Sequence, residues 1–557
     1  MINHLNGIKY FLGLLLKLAA PPLVLILARE FVPVHISSTT DMILSYILII
    51  TGFIGLMISD LLLLRFGDRH AHFSASLTRL VDVSLYARNR HPFLWFYFTY
   101  LLGVLIYIQG LTILSVVIWL GAVIIVFLYI LFIHEKHLVK SIGEPYSKYI
   151  QSTPFLTWKI KISENQQIKL LPQLIWLVGI LFFRYWFGLN PKGSENIPHD
   201  KPFIIVANHE TYLDPFLFAL FTPFEIKFVT TADVFTSPLM RFLLQGIGTF
   251  PMRRHRQDLK SIRTMIRKIN KGQVVGIFPE GGRSTDGTPL PILKETLKLI
   301  QHCKVPILPV HLGGAYEIWP RWAPNRRRGK VSVTFKPVIP VSEQGELPKL
   351  EAQIKAAIFA EERIYRSVKS RDITRGLDHF LWACLECHTH DSIQVVAKNR
   401  VKCTACEQQW TFTNNYSFIQ DSSNKEIPLL KWIARINSSM FDHFPKYDLS
   451  ISIEDDESVF INSQINKYVE EDGMELVENL DIALSNHRIF MYRNTELIKA
   501  WDLSNITIFT MDYSNAVSIG VGGIRHTFYL NSNEIPLKWQ TYFDRIAENN
   551  SLPLQTA

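Results

Sequence analysis

The sequence predicts a multidomain chain: an α-helical transmembrane domain, an α/β domain, a small cysteine-bearing unit and a β-rich C-terminal domain. Three observations predict it. Apolar runs of membrane-spanning length crowd the first 133 residues. Short apolar strands alternate with helical patterns from about 190 to 345. Four of the five cysteines fall within 384–406, and strand-like runs with turn signals recur from about 448 to 533.

Composition agrees. With 557 residues there is room for several domains. Charged residues make up 19%, below the roughly 25% of an average soluble protein. Apolar residues reach 48% and the mean hydropathy is +0.13, which excludes a mostly disordered chain and argues against a purely soluble one. A net charge of +9 suits an anionic partner, either lipid or nucleic acid. Five cysteines are too few for a disulfide-stapled secreted scaffold.

The apolar runs are 10–28, 43–64, 93–109 and 111–133, each 17 to 23 residues long. A spanning helix needs about 20. The last two contain no charged residue; the first contains Lys17 and Pro21-Pro22, and the second Asp60. The first is too proline-rich for a cleaved signal peptide and lacks the small-residue cleavage site. Arg65, Arg69, Arg79, Arg88 and Arg90 on one connector, and Lys136, Lys140, Lys148, Lys159 and Lys161 after the last run, place both basic stretches on the cytoplasmic side. Gln109-Gly110 reads as a tight uncharged turn. A fifth run, 170–189, holds Pro172, Arg184 and many aromatics, and suits either a helix lying in the membrane interface or one buried in the domain that follows.

In the α/β part the candidate strands are 202–207, 226–230, 274–278, 305–311 and 331–335, and the candidate helices 215–221, 236–245, 256–271 and 291–302. Residues 347–371 read as one charged helix. Directly after the first strand comes Asn208-His209-Glu210-Thr211-Tyr212-Leu213-Asp214. An acid five residues on can hold the His209 imidazole in one tautomer, so that it can take a proton from a hydroxyl. No Ser or Cys nucleophile stands beside it, which favours direct transfer. Asp214-Pro215 also suits a helix cap with Pro at the first helical position. Gly248 to Arg254 ends in two adjacent arginines, whose forks bind phosphate bidentately. Phe278-Pro279-Glu280-Gly281-Gly282-Arg283-Ser284 lies just beyond another strand, and Val305-Pro306-Ile307-Leu308-Pro309-Val310 is a proline-bearing buried strand. In open α/β sheets ligands bind beyond the carboxyl ends of strands, where the first three loops would gather.

Taken together, these four ordered blocks make residues 190–345 resemble the glycerolipid acyltransferase family of the 1-acylglycerol-3-phosphate type. The resemblance implies acyl transfer from acyl-CoA or acyl carrier protein to a lysophospholipid hydroxyl. It makes His209 the base and Asp214 its partner, with Arg253 or Arg254, Glu280, Gly281 and Arg283 holding the acceptor's phosphate and glycerol. Gly282 stands where the family usually has Thr. Further on, Arg321, Arg326, Arg327, Arg328 and Lys330 lie beside Trp319 and Trp322, either to meet lipid headgroups or CoA phosphates or as a solvated basic loop.

Within 45–155, Tyr86, Arg90-His91-Pro92, Glu135, Gly143, Tyr146 and Tyr149 look like the isoprenylcysteine carboxyl methyltransferase and phospholipid methyltransferase superfamily. That resemblance implies S-adenosylmethionine contacts at Arg90, His91 and Glu135. Here His134 stands where a first Glu is expected and Leu94 where a Tyr often follows. A retained fold serving as anchor or lipid-access domain is the alternative.

Cys384-x2-Cys387-x15-Cys403-x2-Cys406 fits a four-thiolate zinc ribbon, and thiolate closure makes the metal structural. Cys303 reads as a packing residue. The last domain is similar to GRAM or pleckstrin-homology-like modules over Ala483–Tyr492, Ile498–Ile506 and Thr527–Leu530. The acids Glu454, Asp455, Asp456, Glu457, Glu470, Glu471 and Asp472 at its front would repel anionic lipid, which leaves room for a protein partner.

The expected layout is a transmembrane methyltransferase-like domain at 1–160, an interfacial helix plus acyltransferase domain at 165–345, a helical linker at 346–380, a zinc ribbon at 381–415 and a GRAM/PH-like β domain at 445–548. The expected protein is a multi-pass membrane O-acyltransferase with cytoplasmic soluble domains. Its partners are membrane lipid, a lysophospholipid, an acyl donor and, at the C-terminal module, a protein. A lipid methyltransferase, a bifunctional enzyme and a membrane scaffold are the alternatives. No nucleic acid is expected, because the positive charge is spread over membrane-proximal loops.

Overall fold

A computed structural model describes residues 38–67, 79–162 (except 111), most of 179–231, 249–252, 259–359, 365–439 and most of 447–556. The first apolar run, the helix expected at 236–245, most of 170–189, both Arg253 and Arg254, and Asp455, Asp456, Glu471 and Asp472 lie outside the described residues.

The second apolar run forms the helix Thr39–Phe66. Ser38 and Asp41 close its start in a reciprocal capping box, Asp41 N donating to Ser38 Oγ at 3.1 Å and Ser38 N to Asp41 Oδ2 at 3.3 Å. It packs along the helix Pro92–Gln109 at unusually small residues. A Cβ on Gly52 would lie 2.5 Å from the Tyr100 nitrogen, one on Gly103 2.8 Å from the Ile49 nitrogen, and one on Gly55 inside the Phe96 ring. Close backbone approach of this kind is how apolar helices associate where no hydrophobic effect drives them. Gly110 makes the turn at φ 68°, and its N–H donates to Ile106 O at 2.8 Å.

The third helix starts at Ile113 and runs through one π turn, Ile130–His134, to Ile142. By length and composition, Thr39–Phe66 and Ile113–Ile142 can each cross a membrane, whereas Pro92–Ile108 is a shorter apolar helix. Ile113, Val117, Ile124, Ile125 and Phe132 are more than half exposed, an apolar surface that water would penalise.

The α/β layer is a six-stranded sheet. Its first five strands are β1 (Ile204–Ala207), β2 (Ile226–Thr231), β3 (Phe250–Met252), β4 (Val274–Ile277) and β5 (Ile307–Gly313). The spatial order is β3-β2-β4-β1-β5, all parallel, closed by the antiparallel edge strand Ser332–Phe335. Strand alternation sends Phe203, Ile205 and Ala207 into one core and Ile204 and Val206 into another. Both faces are buried, so β1 reads as a continuous apolar run, as central parallel strands do. The first face is covered by Asp214–Ala219, by Phe183 and Phe187, and by Leu61 of the first long helix. The second is covered by residues of Leu259–Asn270, Lys294–His302 and Leu347–Ile358.

Two expectations shift here. The charged helix expected to run to 371 stops at Ile358. Beyond it Tyr365 and Val368 pack instead into a different core, and Val368–Lys369 pairs with Arg328–Gly329. The basic cluster is only in part a solvated loop: Arg326, Arg328 and Lys330 are exposed, whereas Arg321 and Arg327 are drawn inward. Arg327 is buried, its guanidinium 4.5 Å from the Trp322 ring centroid, and it donates to Ile373 O at 2.8 Å and to Tyr416 Oη. Arg321 donates to Met511 O at 2.9 Å.

The cysteines sit beside a five-stranded antiparallel sheet, Ile393–Ala397, Arg400–Cys403, Gln409–Phe412, Ser417–Gln420 and Glu426–Pro428, ordered as in the chain. The helix Leu429–Ser439 seals it with Trp432 against Trp410 and Phe418. The C-terminal part, from Val459, is an eight-stranded sheet with the helix Pro536–Asn549 packed on it, Phe543 stacked on Phe509 at 4.0 Å. The acidic front is partly neutralised within it. Glu457 is buried on Arg488 at 2.7 Å, and Glu470 meets Lys499 at 3.2 Å.

The cysteine unit and the C-terminal sheet are not separate modules. A single buried cluster runs from Tyr316 and Trp322 of the α/β layer, through Trp382 and Trp410, to Trp539 and Ile546. Lys538, almost fully buried, crosses that seam to Asp391 at 2.5 Å.

Candidate active site

The loop after β1 carries the central feature. His209 Nδ1 lies 2.8 Å from Asp214 Oδ2. Asp214 has no exposed surface. The same Oδ2 accepts from Glu210 N at 2.5 Å and Thr211 N at 2.8 Å, while Oδ1 accepts from Thr211 Oγ1 at 2.7 Å. The cap reading of Asp214-Pro215 shifts by one residue: Leu213 takes the N-cap, so Asp214 is the first helical residue and Pro215 the second. The aspartate begins the helix Asp214–Ala219, and its carboxylate also orients the imidazole. The His209 ring stacks on Phe278 from the end of β4, centroids 4.1 Å apart.

The loop after β4 completes the arrangement, and it does so through Glu280. This side chain is almost fully buried, and each carboxylate oxygen accepts one backbone N–H: Oε1 from His209 at 2.7 Å, Oε2 from Leu290 at 2.8 Å. Burial pushes its carboxyl up to about 8, against the pull of those two bonds. Glu280 therefore braces the two loops against each other. Ser284 N donates to His209 O at 3.0 Å, a second tie. Gly281 takes φ 68°, and a Cβ there would overlap Leu293 Cδ1, so glycine is required twice over. Arg283 lies over the Tyr212 ring, 3.5 Å from its centroid, which brings its charge beside the His209 loop.

Sequence reasoning missed three supporting residues. Asn208 exchanges two hydrogen bonds with Leu312 of β5, at 2.9 and 2.7 Å. Glu210 Oε2 accepts Tyr316 N at 2.7 Å, and Thr211 holds Asp214 as above. All three sit inside the block already singled out, and their polar character at a strand end was the available signal. Arg253 and Arg254, which follow β3 in the chain, lie outside the described residues.

Comparison with known proteins bears on this same segment. Residues 188–313 match the family described as Acyltransferase. The 1-acyl-sn-glycerol-3-phosphate acyltransferase of Bacillus subtilis (strain 168) is 28% identical over 128 residues, 23% of this chain and 63% of that protein. The corresponding chloroplastic enzyme BAT2 of Brassica napus is 31% identical over 132 residues, 23% of this chain and 38% of that protein. A solved structure titled as the 1-acyl-sn-glycerophosphate (LPA) acyltransferase PlsC of Thermotoga maritima is 24% identical, covers 42% of this chain and 90% of its own, and has a TM-score of 0.30. The chain thus spans less than two thirds of the length of these curated relatives.

The four cysteines converge as their spacing predicts. Their sulfurs all lie within 4.8 Å of one another, with Cys384 to Cys406 at 3.8 Å and Cys387 to Cys403 at 3.6 Å. A tetrahedral zinc with four bonds of about 2.3 Å has sulfur–sulfur edges of about 3.8 Å. Backbone N–H groups of Glu386 and Ala405 each donate to a cysteine sulfur at 3.4 Å, as anionic thiolates would need. The residues fit a structural metal. His390 packs instead against Trp382 and Tyr542.

In the membrane part, Arg90 and His91 both reach one oxygen of Glu135, at 2.9 and 3.0 Å. They border a cavity of about 270 Å³ walled mainly by apolar side chains such as Leu56, Phe93 and Leu138. The π turn before Glu135 helps turn it inward. As placed, the three residues tie Pro92–Gln109 to Glu135–Ile142, while the buried Arg90 Nε makes no hydrogen bond beside the cavity.

Proposed function

We propose that this protein transfers an acyl chain from a thioester donor, acyl-CoA or acyl carrier protein, to the hydroxyl of a lysophosphatidic acid-like lipid. The observation that carries the reading is the short contact between His209 Nδ1 and a fully buried Asp214. With Nδ1 held by the carboxylate, Nε2 is the nitrogen that takes the hydroxyl proton. The alkoxide oxygen attacks the thioester carbonyl, the carbon–sulfur bond breaks, and the thiolate leaves with the proton returned from His209. Arg283, with Arg253 or Arg254, holds the acceptor phosphate and so orients its hydroxyl. Glu280 and Gly281 shape the loop that does this rather than touching the acceptor.

The lipid substrate is reached from the membrane in which the apolar helices sit, with the soluble part on the cytoplasmic side. Arg79 supports that placement: it donates to Ile197 O at 2.5 Å and Pro198 O at 2.8 Å, docking the basic connector onto the α/β layer. The cavity at Arg90 belongs in this reading to an anchoring or lipid-access domain. The four-cysteine unit is a structural zinc site and the C-terminal sheet a GRAM/PH-like module.

The test is acyl transfer by purified, detergent-solubilised protein, with both donor types offered to a panel of lyso-lipids. Turnover by the parent and loss of it in His209→Ala is the expected result. Undiminished turnover in His209→Ala overturns the mechanism. Binding of S-adenosylmethionine that is lost in Arg90→Ala would restore the methyltransferase alternative.

A further inference from the structure

Three tyrosines form a column between the cysteine unit and the Arg283 loop. Tyr416 stands in the turn between Gln409–Phe412 and Ser417–Gln420 and is fully buried. Its hydroxyl accepts from Arg327 and donates to Glu317 O at 2.7 Å, so the ring cannot swing. It stacks on Tyr365 at 4.9 Å, and Tyr365 stacks on Tyr316 at 6.0 Å. The column ends on two adjacent backbone carbonyls of the loop: Tyr365 Oη donates to Asp286 O at 2.5 Å and Tyr316 Oη to Thr285 O at 3.1 Å. Thr285 and Asp286 come directly after Arg283-Ser284. The C-terminal sheet adds one further brace, because Arg321 spans from Met511 O at 2.9 Å to Arg283 O at 3.5 Å.

We infer that Tyr416 and Tyr365 are positioning residues for acceptor binding: through them the cysteine unit fixes the loop that carries Arg283. This rests on the acyl-transfer reading of that loop. A hydrogen bond to a loop carbonyl selects one loop conformation, and a phosphate contact depends on where the loop sits. One bond from this loop, Ser284 N to His209 O, reaches the His209 loop, but Asp214 and Glu280 Oε1 hold His209 without the 285–286 carbonyls, so the column acts mainly on acceptor affinity rather than on the chemical step.

The experiment uses the full-length solubilised protein and two variants. Tyr365→Phe removes only the hydroxyl on Asp286 O, and Tyr416→Leu removes the stack. For Tyr365→Phe we expect the KM for lysophosphatidic acid to rise about tenfold with kcat within about twofold of the parent. Amide hydrogen exchange across 284–290 should quicken about tenfold or more while the thermal transition stays in place. Tyr416→Leu should raise KM and quicken exchange more strongly, with a lowered thermal transition because the buried Arg327 loses a partner. Unchanged exchange across 284–290 in Tyr365→Phe overturns the inference, as does a fall in kcat at constant KM. Should the parent show no acyl transfer, quickened exchange in the variant still supports the coupling and rejects only the acyl-transfer reading.

Discussion

At the residue scale, Asp214 carries the most. One buried carboxylate orients an imidazole, accepts two backbone N–H groups and holds a threonine hydroxyl. Asn cannot replace it, because a neutral amide lacks the charge that orients His209 and stabilises its protonated form. Asp214→Asn should reduce kcat by about 10²- to 10⁴-fold and lower the unfolding free energy by about 2 kcal/mol, read by steady-state kinetics and thermal melting. Glu280 yields a pH prediction. Its folded pKa is raised to about 8 by burial, while the unfolded chain titrates as an ordinary carboxyl. The folded state therefore binds more protons between those values. The contribution of this group to stability is fully present at acid pH and declines as the pH rises toward about 8. In Glu280→Gln, the melting temperature should lose that part of its downward slope between pH 5 and 8; an unchanged slope would contradict the assignment. The His209–Asp214 pair was legible from spacing at a strand end. The bracing role of Glu280 was not, because whether an acid points to substrate or to backbone amides is decided by a loop 71 residues away in the chain.

At the element scale, periodicity located the apolar helices and the alternating strands. It gave less where tertiary contacts overrode it. The helix from Leu347 ends at Ile358 because Tyr365 and Val368 gain more by joining the aromatic core than by extending an exposed helical turn. Strand β3 is three residues long and contains a proline, too little pattern to detect, and it is tolerated because it lies at the sheet edge. Gly52 and Gly55 set a sharper constraint. Gly52→Ile should force Thr39–Phe66 away from Pro92–Gln109, with a cost of about 1–3 kcal/mol or more, seen as earlier thermal aggregation of the solubilised protein. Gly281→Ala requires both a left-handed backbone and a displaced Leu293. It should cost about 1–3 kcal/mol and impair acyl transfer together with stability, checked by melting and kinetics on one preparation.

At the scale of the whole molecule, the cysteine spacing was enough to predict a metal centre, since four thiolates with that geometry have few other uses. Elemental analysis should find one zinc for each chain. Cys403→Ser or a strong chelator should lower the melting temperature of the α/β layer as well, because the two share a core through Tyr316 and Trp322. Separate transitions, with the α/β layer unmoved, would contradict the shared core. No stretch of sequence announces such a merger: Arg327 looks like a surface charge until Trp322 and Tyr416 are seen on either side of it.

That merged core sets an order of events during synthesis. Ribosomes make the α/β layer first, and Tyr316 and Trp322 are covered by residues made later, Tyr365, Phe380, Phe412 and Tyr416. At about 5–20 residues per second, the intervening stretch takes on the order of ten seconds to emerge. Throughout that interval an aromatic flank stays wet, open to non-native contacts until its cover emerges. A premature stop before Phe380 removes this cover and strands the flank, even when every residue of the His209 and Glu280 loops has been translated.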